Sequence, residues 1–384
     1  MKGTHIKRLS ALLLLLAMLV SLAACGKEEP KTAAPQKAAD AAQPAAAAPA
    51  STGPLKVAFV YVSPANEEGW STQHDIARKA VEAKFGDKIQ VTTLENIPEN
   101  ADAERVLRDL AQQGNKLIFA TSFGYMNSLL KVAKEFPDVK FEHATGYKTA
   151  ENVTAYSARF YEARYLAGKL ALGIHIVRRG VNLMLWMEQD EWSRPIPEVL
   201  QGINAFTLGA QSVNPNIEVR VVWTSAWYDP GKEADATKSL IGQKADVITH
   251  HTNSSAVAST CEEAKVPVIS YNTAMKRAAP TMLLGGVIHI WDDYYAQEIQ
   301  SVLDGTWKSK NVWGGAPEHR VGLVEIAQTA PKAVVDDINA TFEKMAKREF
   351  HPFTGPVVSN EGKEMLKAGE KATDEHLLTM GYLV

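Results

Sequence analysis

The residues best placed to do chemistry in this chain are aromatic and amide-bearing, not nucleophilic. Trp70, Phe123, Tyr125, Trp192, Trp227 and Tyr228 fall in short polar segments at 63–70, 122–125, 188–197 and 225–229. Amides and hydroxyls lie beside them or in neighbouring segments, among them Asn66, Ser122, Asn253 and Asn272. Rings supply contact area by stacking and amides both donate and accept hydrogen bonds, so the set suits a flat, uncharged, polar-edged ligand. Any one ring alone reads equally well as a cap over a sheet end. Catalytic patterns are sparse. No Gly-x-Gly-x-x-Gly or Walker-type loop follows the first predicted strand, at 57–62, and no Gly-x-Ser-x-Gly elbow occurs. Glu188, Asp190 and Glu191 offer paired carboxylates of the kind glycoside or nucleoside hydrolysis uses, or simply a solvated rim. His250 and His251 are adjacent on a strand pattern, where neighbours point to opposite faces, so they do not readily share a metal ion. Neither a metal nor a cofactor is expected.

These residues sit at the ends of a repeated α/β pattern. Strands are predicted at 57–62, 89–94, 117–121 and 139–143, with helices at 70–85, 101–113 and 125–136 between them. Such a βαβ series makes a parallel sheet with right-handed crossovers. The pattern restarts with strands at 181–187, 217–223, 247–251 and 266–271, and helices at 196–213, 232–243 and 255–264. Order and spacing repeat although identity does not. The fold expected is α/β: two Rossmann-like lobes joined by a three-strand hinge. Crossings are expected near 153–175, from 283 onward and at 351–356, where Pro disfavours helix. The lobes would comprise about 55–157 with 288–318 and 356–384, and about 158–287 with 319–355. In open parallel sheets ligands bind beyond the carboxyl ends of the strands, where the aromatic segments fall.

Composition narrows the setting. Lys and Arg number 41 and Asp and Glu 44, for a net charge of −3, so no basic stripe for nucleic acid is present. Residues 1–24 carry Lys2, Lys7 and Arg8, then an apolar run too short to span a bilayer, as in a secretory signal. Leu22-Ala23-Ala24-Cys25 resembles the lipobox of bacterial lipoproteins. That resemblance implies cleavage before Cys25, a thioether-linked lipid on its sulfur and an extracytoplasmic, membrane-tethered protein. Residues 26–54 are rich in Ala, Pro, Lys and Gln without an aromatic and read as a disordered leash. The second cysteine, Cys261, then lacks a disulfide partner and is expected as a buried structural thiol.

The segments Gly69-Trp70-Ser71-Thr72-Gln73-His74, Thr121-Ser122-Phe123-Gly124-Tyr125, Phe141 to Tyr147, Trp227 to Glu233 and His351 to Pro356 together resemble the basic membrane protein family. Its members are lipoprotein solute-binding components of ABC importers. The resemblance implies a type I periplasmic-binding-protein fold, a purine base or nucleoside-like ligand, and ABC permease subunits as partners. The protein is expected to act as a monomer. By position, Trp70 would stack on the purine, Asn66, Ser122, Phe123 and Gly124 would line the first lobe, and Trp227, His251, Asn253 and Asn272 the second. Trp192 joins this set from its aromatic segment. The family pattern also implies acids near Asn253 and Asn272. Amides there predict weaker ribose capture and a preference for the free base. An extracytoplasmic sensor on the same fold, or a hydrolase using Glu188 or Asp190, are the alternatives.

Overall fold

The computed structural model describes residues 53–174, 181–183 and 196–384. Cys25, the leash to residue 52, Glu188, Asp190, Glu191 and Trp192 lie outside the described residues. The first lobe alternates β1 (Leu55–Val60), α1 (Trp70–Phe85), β2 (Ile89–Leu94), α2 (Ala101–Gln112), β3 (Leu117–Ala120), α3 (Met126–Glu135), β4 (Lys140–Ala144) and β5 (Val153–Ala158). β3 is buried along its whole length, as a strand covered on both faces must be. α2 starts where the Asn100 side chain accepts a hydrogen bond from Asp102 N at 2.8 Å.

The chain then enters the second lobe through α4 (Phe160–Ile174), β6 (Val181–Leu183), α5 (Pro197–Gln211), β7 (Val219–Arg220), α6 (Pro230–Gly242), β8 (Ile248–Thr249), α7 (Ala256–Ala264), β9 (Val268–Asn272) and β10 (Leu283–His289). It returns to the first lobe for α8 (Asp292–Leu303) and β11 (Asn311–Gly314), then goes back for β12 (Val321–Val324) and α9 (Lys332–Ala346). The tail adds β13 (Val357–Val358), β14 (Glu364–Leu366) and α10 (Asp374–Leu378).

Each lobe holds a six-stranded sheet. The strand order is β2-β1-β3-β4-β5-β11 in the first and β7-β6-β8-β9-β10-β12 in the second. The first five strands of each follow the same doubly wound order, so the repeat read from the sequence is a repeat of topology. β11 runs parallel to β5, whereas β12 runs antiparallel to β10. Strands at 217–223 and 247–251 shrink to two residues each, because edge position and early loop onset leave little to pair.

Three segments cross between the sheets: those after β5, after β10 and after β11. They are tied to one another by backbone. Arg159 N donates to Gly314 O at 2.7 Å and Ile290 N to Arg320 O at 2.9 Å. The third crossing therefore lies between β11 and β12, not at 351–356. The tail, expected with the first lobe, is fastened to α5 instead. Gln201 Nε2 donates to Leu377 O at 2.8 Å and Asn204 Nδ2 to Tyr382 O at 2.8 Å. Cys261 is free and buried in α7, and burial pushes its thiol up to about 12. Among the described residues no helix is long and apolar enough to cross a membrane.

Candidate ligand-binding site

The carboxyl ends of the two sheets face one another across a cavity of about 690 Å³, within the range of small-molecule sites. Trp70 opens α1 and forms part of the wall. Its indole N–H is spent on Thr121 O at 2.6 Å, and its ring lies 4.6 Å from both His74 and His289. What remains for a ligand is ring surface, since only 8% of the residue is exposed. Phe123 lines the same side and stands 6.4 Å from Tyr147 at the rim. Ser122 lines the cavity as well, but its hydroxyl donates to Glu99.

From the second lobe come Trp227, His251 and Asn253. Asn253 is positioned by its backbone, which donates to Trp227 O at 2.9 Å, and by the loop that Glu233 holds. The Glu233 carboxylate accepts from Ser254 Oγ at 2.7 Å, and burial raises its proton affinity. The Asn253 side-chain amide has no hydrogen bond to another described residue and stays available to a ligand. His251 is packed into a stack: its ring is 4.5 Å from Tyr271, whose other neighbour is the Arg164 guanidinium at 3.8 Å. Burial holds the His251 imidazole below its usual value, so it is neutral near pH 7. Burial likewise pulls buried Arg164 down to about 10, with Tyr271 and Glu198 working in the opposite direction.

Three expected site residues do not line the cavity. Asn272 is fully buried, and its Nδ2 donates to Thr252 O at 3.0 Å, so it braces the loop bearing Asn253. Gly124 N donates to Glu99 at 2.9 Å. Asn66 belongs to the loop 63–69, which reaches across the cleft. Its carbonyl accepts from Arg277 Nη2 at 2.7 Å. The same loop sends Glu67 to Tyr228 Oη at 2.6 Å and Glu68 to the backbone N–H groups of Arg277 and Ala278 at 3.3 and 3.2 Å. Gly69 comes so near that a Cβ on it would sit 1.7 Å from Asn253 O. The lobes are closed on each other.

Several wall residues were not legible in the sequence. Glu198 and Gln201 enter from the first turns of α5, three residues apart on one face. Trp313, Asp374 and Leu378 come from the hinge and the tail. Arg159 binds Asp374 through both carboxylate oxygens at 2.8 Å and lies 4.0 Å over the Trp313 ring, closing that end. An acid in the first turn of a helix such as α5 is by itself only a helix-start signal, and nothing local marks the tail. Among the described residues no group of three or more His, Cys, Asp and Glu side chains is arranged to hold a metal. His250 turns away from His251, taking Tyr271 N and Thr252 Oγ1 as partners.

A doubly wound two-lobe body with a closed, ring-walled cleft is the architecture of a solute receptor. Residues 55–351 match the family described as ABC transporter substrate-binding protein, PnrA-like. The chain belongs to this family. It is thus a solute-binding component of the ABC transporter type, an extracytoplasmic class, and not an enzyme. A purine-binding protein of Brucella abortus is 48% identical over 334 residues, 86% of this chain and 92% of its own length. A putative ABC transporter glucose-binding protein of Haloferax volcanii is 35% identical over 81% of this chain and 77% of its own. The solved solute-binding protein of an Aeropyrum pernix ABC transporter system superposes with a TM-score of 0.65 at 15% identity, over 78% of this chain and 93% of its own, which speaks for the type I periplasmic-binding fold.

Proposed function

We propose that this family member captures a purine base between its lobes and delivers it to an ABC permease while tethered by a lipidated Cys25. The observation that carries the reading is the cavity itself. Trp70, Phe123 and Trp227 present ring surface from both lobes, and the Asn253 amide is left to read a polar edge. A sugar would need many hydroxyl partners, whereas a flat heterocycle needs stacking area and few polar contacts. The purine-binding Brucella relative supports this choice over the glucose-binding name carried by the more distant Haloferax one. Asn253 lacks the acceptor-only character that suits a ribose diol, which favours the free base over the nucleoside.

Calorimetry with adenine, guanine, hypoxanthine, their nucleosides and glucose tests the ligand. At least one base should bind more tightly than every nucleoside and than glucose. Tighter nucleosides would refute the base preference, and glucose binding without purine binding would refute the purine. Detergent partitioning and intact mass of the Cys25→Ser protein test the anchor. Wild type should enter the detergent phase with added acyl mass and the variant should not. A wild type that stays aqueous and unmodified removes the anchor from the proposal.

A further inference from the structure

One acid in the cavity wall has fewer partners than its chemistry calls for. Pro197 occupies the first position of α5, where its missing N–H is no loss, and this sets Glu198 in the first turn facing the cleft. Glu198 Oε2 lies 3.3 Å from His251 Nε2. Glu198 Oε1 is buried and has no hydrogen-bond partner. An ionised carboxylate offers about four acceptor positions. Here the protein fills one.

The nearest cation does not fill the rest. Arg164 directs Nη2 to His250 O at 2.6 Å and Nη1 to Thr249 Oγ1 at 3.3 Å, while its aromatic partner is Tyr271. Its charge offsets that of Glu198 at a distance without donating to it. His251 supplies a single N–H, since a neutral imidazole carries one proton and Nε2 is the nitrogen beside the acid. The Glu198 side chain is partly exposed to the cleft, but its buried Oε1 lacks a donor, and an acceptor buried without a partner costs free energy unless something else donates. The terminal torsion of a Glu side chain is soft, so either oxygen can be turned toward a bound molecule.

We propose that Glu198 is a specificity-determining residue that accepts an N–H from the ligand, so that the site selects heterocycles presenting hydrogen-bond donors on the edge facing α5. The inference rests on the purine reading and sharpens it. Asn253 adapts to either polarity, whereas a carboxylate accepts only. The pair thus asks for a base with N–H groups on one edge, as guanine, hypoxanthine and adenine have, and disfavours an acceptor-only edge.

The test is Glu198→Gln, measured by calorimetry against adenine, guanine and hypoxanthine. Gln keeps one oxygen for the His251 N–H and turns its NH2 group toward the cavity, replacing an acceptor by a donor. The base held most tightly by wild type should lose about tenfold to a hundredfold in affinity, the range of a charge-assisted hydrogen bond. The order of the three bases should also change. Melting of the unliganded proteins separates this from a structural role: the variant should melt within a few degrees of wild type. Unchanged affinities overturn the inference alone, as does an equal loss for all three bases with a lowered melting temperature. A wild type that binds none of the three overturns the purine reading and this inference with it.

Discussion

Trp70 holds two roles that pull in the same direction. Its N–H anchors the start of α1 to Thr121 O, and its ring both fills space beside His74 and Phe160 and faces the cavity. Base–aromatic stacking contributes roughly 1–3 kcal/mol, so Trp70→Ala should weaken base binding by about tenfold to a hundredfold. Emptying the space should also lower stability by roughly 3–5 kcal/mol. Trp70→Phe keeps a stacking face and loses one hydrogen bond of about 1 kcal/mol, so its affinity should fall far less. Titration and thermal melts on both variants decide it, and an alanine variant with wild-type affinity would remove Trp70 as the platform. Glu142 does not line the cavity. It is fully buried and accepts from Tyr294 Oη at 2.6 Å and Trp307 Nε1 at 2.8 Å. Burial, and then nearby Glu298, which pairs with Lys310 at 2.6 Å, raise its carboxyl to about 8. The unfolded chain binds that proton with a pKa of about 4.3. The folded state therefore holds the proton more tightly, and this contribution to stability is whole below about pH 4 and lost as pH rises through about 8. Melting temperature should fall from pH 6 to pH 9, and Glu142→Gln, which mimics the protonated acid, should flatten that fall.

Elements, more than single residues, decide which side chains meet in the cleft. α4 and α5 lie against each other so closely that a Cβ on Gly209 would sit 2.0 Å from Tyr165 O. This pair carries Arg164 on one helix and Glu198 and Gln201 on the other, so the spacing sets the second-lobe wall. Gly209→Ala must push the helices apart. Overpacking of this kind costs roughly 1–3 kcal/mol, read as a drop of several degrees in melting temperature with weaker ligand binding alongside. A variant as stable as wild type would mean that the helices have room to spare. The same elements show why the sequence was readable in part. The βαβ order of both lobes follows from apolar runs and helical spacing, which are local signals, and β1, β2, β3 and β4 lie within a few residues of their expected positions. The segments after β1, β3, β7 and β8 delivered Trp70, Phe123, Trp227, His251 and Asn253 to one cavity. Local pattern could not show that Asn272, at the end of β9, turns inward to Thr252. Nor could it show that Asp374 and Leu378, more than two hundred residues from Arg159, close the hinge side, because only tertiary packing brings that tail to α5.

The loop 63–69 works as a clasp between lobes that are otherwise joined through three crossing segments. Ala65 N and Ser63 anchor it to Glu95 and Ser71 of the first lobe, and its partners across the cleft are Tyr228 for Glu67, Arg277, Ala278 and Thr273 for Glu68, and Arg277 again for the Asn66 carbonyl. Most of these bonds are partly exposed, so water competes for them and each contributes modestly. Three hinge segments permit rotation, and a ligand touching both lobes favours the closed state by its differential contacts alone. A base should therefore compact the protein in small-angle scattering and raise its melting temperature, by about 2.7 kcal/mol of added stability at a hundredfold excess over Kd. Arg277→Ala removes the side-chain contacts to Asn66 and Glu68 while leaving every cavity-lining residue in place. Apparent affinity scales with the fraction of molecules able to close. The variant should therefore bind more weakly through faster release, with the ligand-free scattering profile shifted toward the extended form and the saturated profile unchanged. Ligand-free profiles that match between variant and wild type, together with equal release rates, would mean that the clasp follows closure without contributing to it.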